Sequence, residues 1–226
     1  MILDLFCCIG GVARGYQEAG FRVIGVDINP QPDYAGDLFI QADALKFLRW
    51  NTSWIQRQGF VAAHASPPCQ GEGAPAKGTN AARGNPHPRL IDPTRAALKR
   101  IGIPYVIENV AGSSVRKDIT LCGEMFGLDV LMHRYFELGR WTTERPAHPK
   151  HRGRVRGWRH GTYFDGPYVA AYGKGGGKAT VAEMQAAKGI DWSSDHFALR
   201  EALPPAYGLW IGQALTAFLA SRERAA

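Results

Sequence analysis

One cysteine at the end of an apolar stretch has the clearest chemistry in this sequence. The run 59–63 predicts a short buried strand, and Pro67 and Pro68 then end it, fix the backbone and withhold two N–H donors. Cys69 therefore follows the carboxyl end of a strand, where open α/β sheets bind their ligands. A cysteine can also be a small buried hydrophobe. The position between a rigid turn and a glycine-rich stretch favours the interpretation that Cys69 is a nucleophile.

The stretch that follows the cysteine is rich in glycine and polar residues. Its glycines are at positions 71, 73, 78 and 84, and it carries the basic residues Lys77, Arg83 and Arg89. Because glycine adopts backbone conformations closed to other residues, such a stretch moves easily. We interpret it as a flap that closes over a bound substrate and excludes water.

Two further residues would bring charge to the same edge of the predicted sheet. The run 104–107 predicts a strand that ends at Glu108, so this carboxyl group is a candidate acid–base partner for the cysteine. The alternative for Glu108 is a helix cap or a surface carboxylate. Arg134 lies within the apolar run 130–138, which would aim a fixed cation at this edge. The alternative for Arg134 is a surface salt bridge.

The N-terminal segment has the pattern of a nucleotide-binding unit. A strand over 2–6 leads into a turn with Gly10 and Gly11, and a helix follows. The next strand ends at Asp27, which is placed to accept hydrogen bonds from two ribose hydroxyls. The G-x-G-x-x-G fingerprint of dinucleotide binding is absent, so the pattern favours a smaller adenosyl ligand. A third strand ends near Asp43, whose side chain would lie beside an adenine edge.

Alternating apolar runs and helical patterns predict an α/β fold with a doubly wound, Rossmann-like sheet. The chain has 226 residues, 45% of them hydrophobic, which is enough for one core. The predicted helices cover 14–19, 45–58, 94–101 and 208–222, and the predicted strands cover 2–6, 21–27, 37–42, 59–63, 104–107, 119–126 and 130–138.

Composition limits the setting and the partners. The formal net charge is +7 and the isoelectric point is near 9.4, which favours a polyanionic partner. The four cysteines do not form a disulfide ladder, which indicates a reducing, cytoplasmic setting. No apolar run reaches the ~20 residues of a membrane span, and the N-terminus does not have the pattern of a secretory leader, so we expect no membrane association.

A one-sided basic segment follows the predicted sheet. Between positions 140 and 160, aromatic residues lie among seven basic residues, which are set against one acid, Glu144. The basic residues are Arg140, Arg145, Lys150, Arg152, Arg154, Arg156 and Arg159. Such a segment favours phosphate contact and stacking on bases, although a run of charges can also simply be solvated.

Two other patterns in this half of the chain are weak evidence for a metal site and for a nucleotide site. His148, His151 and His160 suggest a metal only weakly because no cysteine is close to them in sequence, so we predict no metal site. The glycine-rich stretch 172–178 lacks the strand-to-helix context and the Ser or Thr of a P-loop. This argues against binding of a nucleoside triphosphate.

Three motifs, in this order, resemble those of the DNA (cytosine-5) methyltransferase family over nearly the whole chain. Residues 4–11, D-L-F-C-C-I-G-G, are similar to the family's D-L-F-x-G-x-G-G loop. Residues 67–70, P-P-C-Q, are similar to its nucleophile motif, and residues 108–110, E-N-V, to its E-N-V motif. The resemblance implies a class I methyltransferase sheet, S-adenosyl-L-methionine as donor, and a flipped cytosine of double-stranded DNA as substrate.

The resemblance also implies roles, position by position. Cys69 would be the nucleophile, Glu108 would contact N3 and N4 of the cytosine, and Arg134 would contact its O2. The donor would be held by Phe6, Cys7, Cys8, Ile9, Gly10, Gly11, Asp27, Ile28, Asp43, Ala44, Pro68 and Gln213. The substrate would be contacted by Ser66, Pro67, Gln70, Asn109, Val110, Lys77, Arg83, Arg152, Arg154 and Arg156.

The predicted organisation is a catalytic core over 1–139, a small basic target-recognition region over 140–195 and a C-terminal segment over 196–226 that returns to the core. The recognition region is short and looks like that of compact, phage-type members of the family, which suggests a short or loose recognition sequence. We expect no obligate protein partner.

Three positions depart from the family's motifs. Cys8 stands in place of a glycine in the first motif. Residues 134–136, R-Y-F, look like the end of the family's Q-x-R-x-R-x-F/Y element, where Met132 stands in place of the first arginine. Residues 211–215 would be its C-terminal G-N-x-V motif, where Gln213 stands in place of the asparagine. Two alternatives therefore stay open. A modified donor, carboxy-S-adenosyl-L-methionine, would place a carboxymethyl group on the cytosine. A non-catalytic DNA-binding protein would protect DNA by occupancy, although such a protein has no need of a nucleophile and an acid.

Overall fold

The computed structural model of this chain describes residues 1–71, 87–171 and 179–225. Within them, seven strands form one sheet in the order β3-β2-β1-β4-β5-β7-β6. The strands are β1 (Ile2–Leu5), β2 (Val23–Asp27), β3 (Leu38–Gln41), β4 (Ala62–Ala65), β5 (Tyr105–Asn109), β6 (Ile119–Leu121) and β7 (Arg134–Gly139). Strands β1 to β5 are parallel, whereas β7 is antiparallel to both β5 and β6. The strand order changes direction between β1 and β4, so the carboxyl ends of these strands border a crevice.

Helices cover both faces of the sheet. They are α1 (Gly11–Glu18), α2 (Ala44–Arg57), α3 (Ile91–Ile101), α4 (Val181–Lys188), α5 (His196–Glu201) and α6 (Pro205–Ala225). Short 3-10 turns cover Cys69–Gly71 and Gly123–Phe126, and a separate hairpin consists of β8 (Gly157–Arg159) and β9 (Thr162–Phe164). The predicted doubly wound α/β class is confirmed, and the strand order with its reversed β7 is that of the class I methyltransferase fold.

Alternate residues of each central strand pack into two separate hydrophobic cores, one on each face of the sheet. Leu3 and Leu5 of β1 pack in a cluster with residues of α2 and α3, whereas Ile2 packs with residues of α1 and α6 on the other face. This follows from the period of two along a strand, since neighbouring side chains point to opposite faces. The sheet is therefore buried on both sides, and its edges are the parts of it that can meet a ligand.

A third apolar cluster joins segments that are far apart in sequence. It includes Ile9 before α1, Met132 before β7, Val169, Met184 of α4 and Leu199 of α5. These residues come from both sides of the predicted boundaries at 139/140 and 195/196, so the three predicted segments share this cluster. The segment around Ile9 is thus packed against residues of the predicted recognition region.

Helices α1 and α6 begin three residues earlier than predicted. Gly10 O accepts the hydrogen bond of Arg14 N at 2.9 Å, which closes the first turn of α1. Pro205 opens α6, as proline is tolerated in the first turn, where its missing N–H has no partner to lose. Glycines and prolines near these helix starts are typical of turns, so the sequence predicted that the helices begin after them.

Several strand boundaries also differ from the predicted ones. The strand predicted over 59–63 lies at Ala62–Ala65 because Gly59, at a φ of 74°, still turns the chain. The run 119–126 leaves the sheet after Leu121, and Cys122 begins a 3-10 turn. The run 130–138 joins the sheet only at Arg134, since the Met132 carbonyl accepts a hydrogen bond from the Tyr207 hydroxyl at 2.6 Å.

Some predictions fall outside the described residues. Lys77 and Arg83 of the predicted flap lie there, as does the stretch 172–178. Among the helices of the described part of the chain, none is both long and apolar enough to cross a membrane.

Helices α1 and α6 touch backbone to backbone. A Cβ at Gly15 would lie 2.0 Å from Pro205 O, and a Cβ at Gly208 would lie 2.2 Å from Val12 O. Only glycine fits at such distances. The contact brings the first turn of α6 to the first half of α1, close to the glycine turn that precedes it.

We expect Gly208→Ala to destabilise the protein, although alanine favours helices over glycine by about 1 kcal/mol. The added methyl would push α6 away from Val12, and overpacking of this kind lowers the free energy of unfolding by about 1–3 kcal/mol. Urea unfolding followed by circular dichroism measures the change. Gln213→Ala, at an exposed position of the same helix, is the control and should leave the stability unchanged. A Gly208→Ala variant as stable as that control would contradict the close contact.

Candidate active site

The turn that carries Cys69 is fixed by a side chain of the neighbouring strand. Cys69 begins the 3-10 turn after Pro67 and Pro68 and is half-buried. The side-chain amide of Asn109, at the end of β5, donates to Pro67 O at 2.8 Å, and Asn109 Oδ1 accepts from Val110 N at 3.0 Å. Asn109 is buried, with both of its polar groups engaged. Asn109 therefore positions the cysteine turn, and its predicted contact with substrate stays a prediction.

Glu108 and Arg134 meet at the edge of the sheet that also holds the cysteine turn. Arg134 Nε lies 3.0 Å from Glu108 Oε1, and the two side chains are 19% and 8% exposed. Glu108 lies within β5, so it is not a helix cap, and its ion pair is buried rather than a surface salt bridge. Arg134 also donates from Nη1 to His133 O at 3.0 Å, which fixes the guanidinium. The fold thus brings the predicted acid and the predicted cation into contact.

Burial governs the protonation of both candidate catalytic groups. Burial raises the pKa of the Cys69 thiol, while the nearby Arg134 guanidinium lowers it and the Glu108 carboxylate raises it. Burial likewise raises the pKa of Glu108, against the lowering effects of Arg134 and of a hydrogen bond from Ser66. The neutral carboxyl and the neutral thiol are therefore both favoured relative to free side chains, and Arg134 is the group that counters this for each.

A chain of hydrogen bonds that the sequence analysis missed leads to Glu108. The Tyr16 hydroxyl and His64 Nδ1 are 2.9 Å apart, and His64 Nε2 lies 3.3 Å from Ser66 Oγ. Burial lowers the pKa of His64 to about 3, so the imidazole is neutral and holds one proton. A hydroxyl donor at Nδ1 leaves the proton on Nε2, which then donates to Ser66, and Ser66 in turn bonds Glu108. The only sequence signal was a histidine in an apolar strand, two residues before Ser66.

The loop after β1 is held in an uncommon backbone conformation. Phe6 and Cys8 have φ angles of 57° and 48°, in the left-handed region that glycine normally occupies. Asp27 Oδ2, at the end of β2, accepts from Cys8 N at 3.1 Å, and Oδ1 accepts from Asn29 N at 3.0 Å. Cys8 thus takes a backbone conformation that glycine adopts most easily, and Asp27 supports it.

The glycines of this loop lie against other parts of the protein. A Cβ at Gly10 would lie 2.9 Å from Ala35 N and from the Tyr34 ring, and a Cβ at Gly11 would lie 2.0 Å from Leu203 O. These positions require glycine because other parts of the protein come close. Close approach of a ligand to the backbone of these glycines stays a prediction.

The other residues predicted to hold the donor differ in how exposed their side chains are. Ile28 follows Asp27 and is 62% exposed, and Asp43 caps α2 by accepting from Lys46 N at 2.9 Å. The side chains of Cys7, Ile9 and Ala44 are buried in the protein, so only their backbone could meet a ligand. Phe6 and Cys8 are partly buried, and Pro68 and Gln70 flank Cys69.

Gln213 lies away from the loop it was predicted to reach. It is exposed on α6, and its neighbour Gly212 packs against Ala19 at the C-terminal end of α1. The loop is at the opposite end of α1, where Gly11 meets Leu203 instead. Gln213 thus lies on the part of α6 that packs against the far end of α1, and its role toward the donor stays a prediction.

The three arginines predicted to contact DNA already have partners within the protein. Arg152 Nε lies 3.1 Å from Glu124, and Arg156 is paired with Glu183. The guanidinium of Arg154 lies over the Phe164 ring, 5.5 Å from its centre. These contacts attach the segment 152–156 to the 3-10 turn Gly123–Phe126, to α4 and to β9.

Comparisons with known proteins give a distant structural similarity and no sequence match. Protein-family models do not match this sequence, and curated proteins do not match it either. Among solved structures, the chain is similar to a mutant of DNMT2 from Spodoptera frugiperda, with 20% sequence identity and a TM-score of 0.47. The match covers 69% of this chain and 57% of that one, so the chain spans little more than half the length of this neighbour. A similarity at this level concerns the fold and says nothing about the site.

We expect Asn109→Ala to lower the free energy of unfolding by about 1–3 kcal/mol, because the Pro67 carbonyl would lose its buried hydrogen bond. Asn51→Ala, which removes an amide bonded within its own helix, should change it by less than about 0.5 kcal/mol. Urea unfolding of both variants measures the difference. Equal effects would show that the Asn109 bond does not hold the turn.

We expect Arg134→Gln to shift the alkylation of Cys69 by iodoacetamide to higher pH. Only the thiolate reacts, and Arg134 lowers the pKa of this thiol, so its loss leaves less thiolate at a given pH. At a pH below the pKa, each unit by which the pKa rises lowers the fraction of thiolate about tenfold. Mass spectrometry of the Cys69 peptide across a pH series gives the profile. Arg134→Lys keeps the charge and should stay near the wild type; an unshifted Arg134→Gln profile would contradict the electrostatic role.

Proposed function

We propose that this protein is a DNA (cytosine-5) methyltransferase that uses S-adenosyl-L-methionine. The observation that carries the proposal is the grouping of Cys69, Glu108 and Arg134 at one edge of the sheet. The cysteine lies in an anchored turn, the acid and the cation are in contact, and Arg134 affects the pKa of both other groups. A nucleophile, an acid whose pKa is raised and a fixed cation are the groups that addition to a pyrimidine ring requires.

Cytosine C5 is a weak nucleophile, so the ring must be activated before C5 can take a methyl group. The Cys69 thiol would lose its proton, and the thiolate would add to C6 and make C5 enamine-like. Glu108, whose pKa burial raises, would take up a proton as it meets N3 and share it with the ring, which limits the negative charge there. Arg134 would contact O2 while it holds Glu108 in place. Loss of the C5 proton and departure of the thiolate after methyl transfer restore the aromatic base.

The residues at the ends of β1 and β2 fit an adenosyl group. S-adenosyl-L-methionine, when bound, supplies an electrophilic methyl group. Each carboxylate oxygen of Asp27 accepts one backbone N–H, which leaves lone pairs for ribose hydroxyls. The exposed Ile28 beside it offers apolar surface to a flat base, and Asp43 has one carboxylate oxygen outside its cap bond.

DNA would reach this site as a duplex with one base rotated out, which requires a few kcal/mol of unstacking and unpairing. The β8–β9 hairpin presents Trp158 and Tyr163, which are 65% and 53% exposed and pack edge to face at 5.6 Å. Exposed cations such as Arg140 and Lys150 could neutralise phosphates. Arg152 and Arg156, which are paired with acids, would hold this surface in place.

We expect DNA incubated with the protein and S-adenosyl-L-methionine to gain one methyl group on cytosine, as shown by mass spectrometry of its nucleosides. Cys69→Ser should lower the rate by a factor on the order of 10⁴ or more, as loss of a nucleophile does elsewhere. Its circular dichroism and DNA affinity should match the wild type.

Full turnover by Cys69→Ser would contradict the nucleophile assignment. If the wild type produces no modified base, the same assay with carboxy-S-adenosyl-L-methionine tests for carboxymethyl transfer. Binding of DNA without any modification would favour the non-catalytic alternative and exclude the proposed reaction.

A further inference from the structure

Four side chains of metal-ligand type converge outside the candidate active site. They are Cys122, His133, His148 and His151, and one ligand atom from each lies within 4.8 Å of the other three. The sequence analysis grouped His148 and His151 with His160 and predicted no metal site because no cysteine is near them in sequence. The fold corrects this, since Cys122 at the end of β6 and His133 before β7 take the place of His160.

The two closest pairs have the spacing of a tetrahedral site. His133 Nε2 and His148 Nε2 are 3.2 Å apart, and Cys122 Sγ and His151 Nε2 are 3.7 Å apart. Around a tetrahedral zinc ion, with bonds of about 2.0–2.1 Å to nitrogen and 2.3 Å to sulfur, two nitrogens lie about 3.3 Å apart and nitrogen and sulfur about 3.6 Å apart. Both observed distances are within about 0.1 Å of these values. The widest pairs would have to contract by about 1 Å or more.

The protonation of His148 leaves the correct nitrogen for a metal. His148 Nδ1 lies 2.7 Å from Pro149 O, and a carbonyl can only accept, so Nδ1 carries the proton. The lone pair of Nε2 then points into the cluster. Metal-bound histidines commonly donate their other N–H to a backbone carbonyl in this way.

The surroundings fix the ligands in place without a metal. Cys122 is fully buried, and its sulfur accepts from a backbone N–H of the 3-10 turn that follows it. Arg152, next to His151, pairs with Glu124 of that turn and with Asp129. The ring centres of His133, His148 and His151 lie 5.0–5.2 Å from one another. Contacts outside the cluster and contacts between its own rings therefore both hold the ligand atoms together.

We propose that Cys122, His133, His148 and His151 bind one Zn²⁺ ion with four protein ligands. Four protein ligands, here one thiolate and three imidazoles, match the closed coordination of a structural zinc site, because no position remains open for a substrate. Mixed sulfur and nitrogen ligands in a tetrahedron favour zinc over the octahedral, oxygen-seeking Mg²⁺ and Ca²⁺. The ion would fasten the segment 148–151 to the β6–β7 hairpin.

The site lies directly beside Arg134. His133 precedes Arg134 in the chain, and the His133 carbonyl accepts from Arg134 Nη1 at 3.0 Å. A metal bound to the His133 ring would therefore fix the backbone group that holds the guanidinium. The proposal does not depend on methyl transfer, and its test measures metal binding and stability only.

The test begins with the full-length protein, stripped of metal by a chelator and titrated with Zn²⁺ alone. We expect one zinc ion per chain by elemental analysis and a higher melting temperature with zinc than without. Co²⁺ in place of zinc should give the intense visible bands of tetrahedral cobalt and a near-ultraviolet thiolate-to-cobalt band. Cys122→Ser should remove the thiolate band.

Ligand variants locate the site. His148 is exposed, so His148→Gln leaves the core intact, and it should weaken zinc binding by more than the roughly 10–100-fold that loss of an outer-shell partner causes. His160→Asn is the matched control and should bind zinc as the wild type does, because asparagine tolerates the left-handed backbone at this position. A wild type that neither retains nor binds zinc would overturn the proposal. Unchanged zinc binding by His148→Gln, or a thiolate band that survives Cys122→Ser, would overturn it as well.

Discussion

The ion pair between Glu108 and Arg134 requires that β7 run antiparallel to β5. Glu108 lies near the end of β5, and an antiparallel neighbour begins at that same edge, which places its first residue, Arg134, beside the acid. A parallel strand would bring its last residue there instead. Loss of one partner from a buried pair leaves an uncompensated charge and is strongly destabilising. The reversed strand is therefore coupled to the candidate active site as well as to the sheet.

Burial and this single cation act against each other throughout the site. Burial favours neutral Glu108 and neutral Cys69, which suits an acid but hinders a nucleophile, while Arg134 favours the charged form of both. The neutral His64, bonded through Ser66, adds orientation without charge. The proposed reaction needs a thiolate and a protonated carboxyl together, so the position of Arg134 between them determines how well the resting protein approaches that state.

The sequence predicted the fold class and the edge of the sheet at which the chemistry would lie, because strands that end in acids or in proline turns are local patterns. Contacts between distant segments could not be predicted in this way. Asn109 was assigned to substrate because nothing local shows that the Pro67 carbonyl needs a donor. Gln213 was assigned to the donor by motif, whereas its direction depends on how α6 crosses α1. The Cys122 cluster combines residues up to 29 positions apart, which only the β6–β7 hairpin and the segment after it bring together.

Glu108 and Asn109 are adjacent residues with separate tasks, one in the ion pair and the other in the bond to Pro67 O. Neighbouring side chains of a strand point in opposite directions, so inserting or deleting a single residue in β5 would exchange their directions and disrupt both contacts together. The tolerance of this chain to insertions and deletions should therefore fall to a minimum in β5. Changes in length would then be confined to the loops, and Glu108 and Asn109 would keep their opposite directions on the strand.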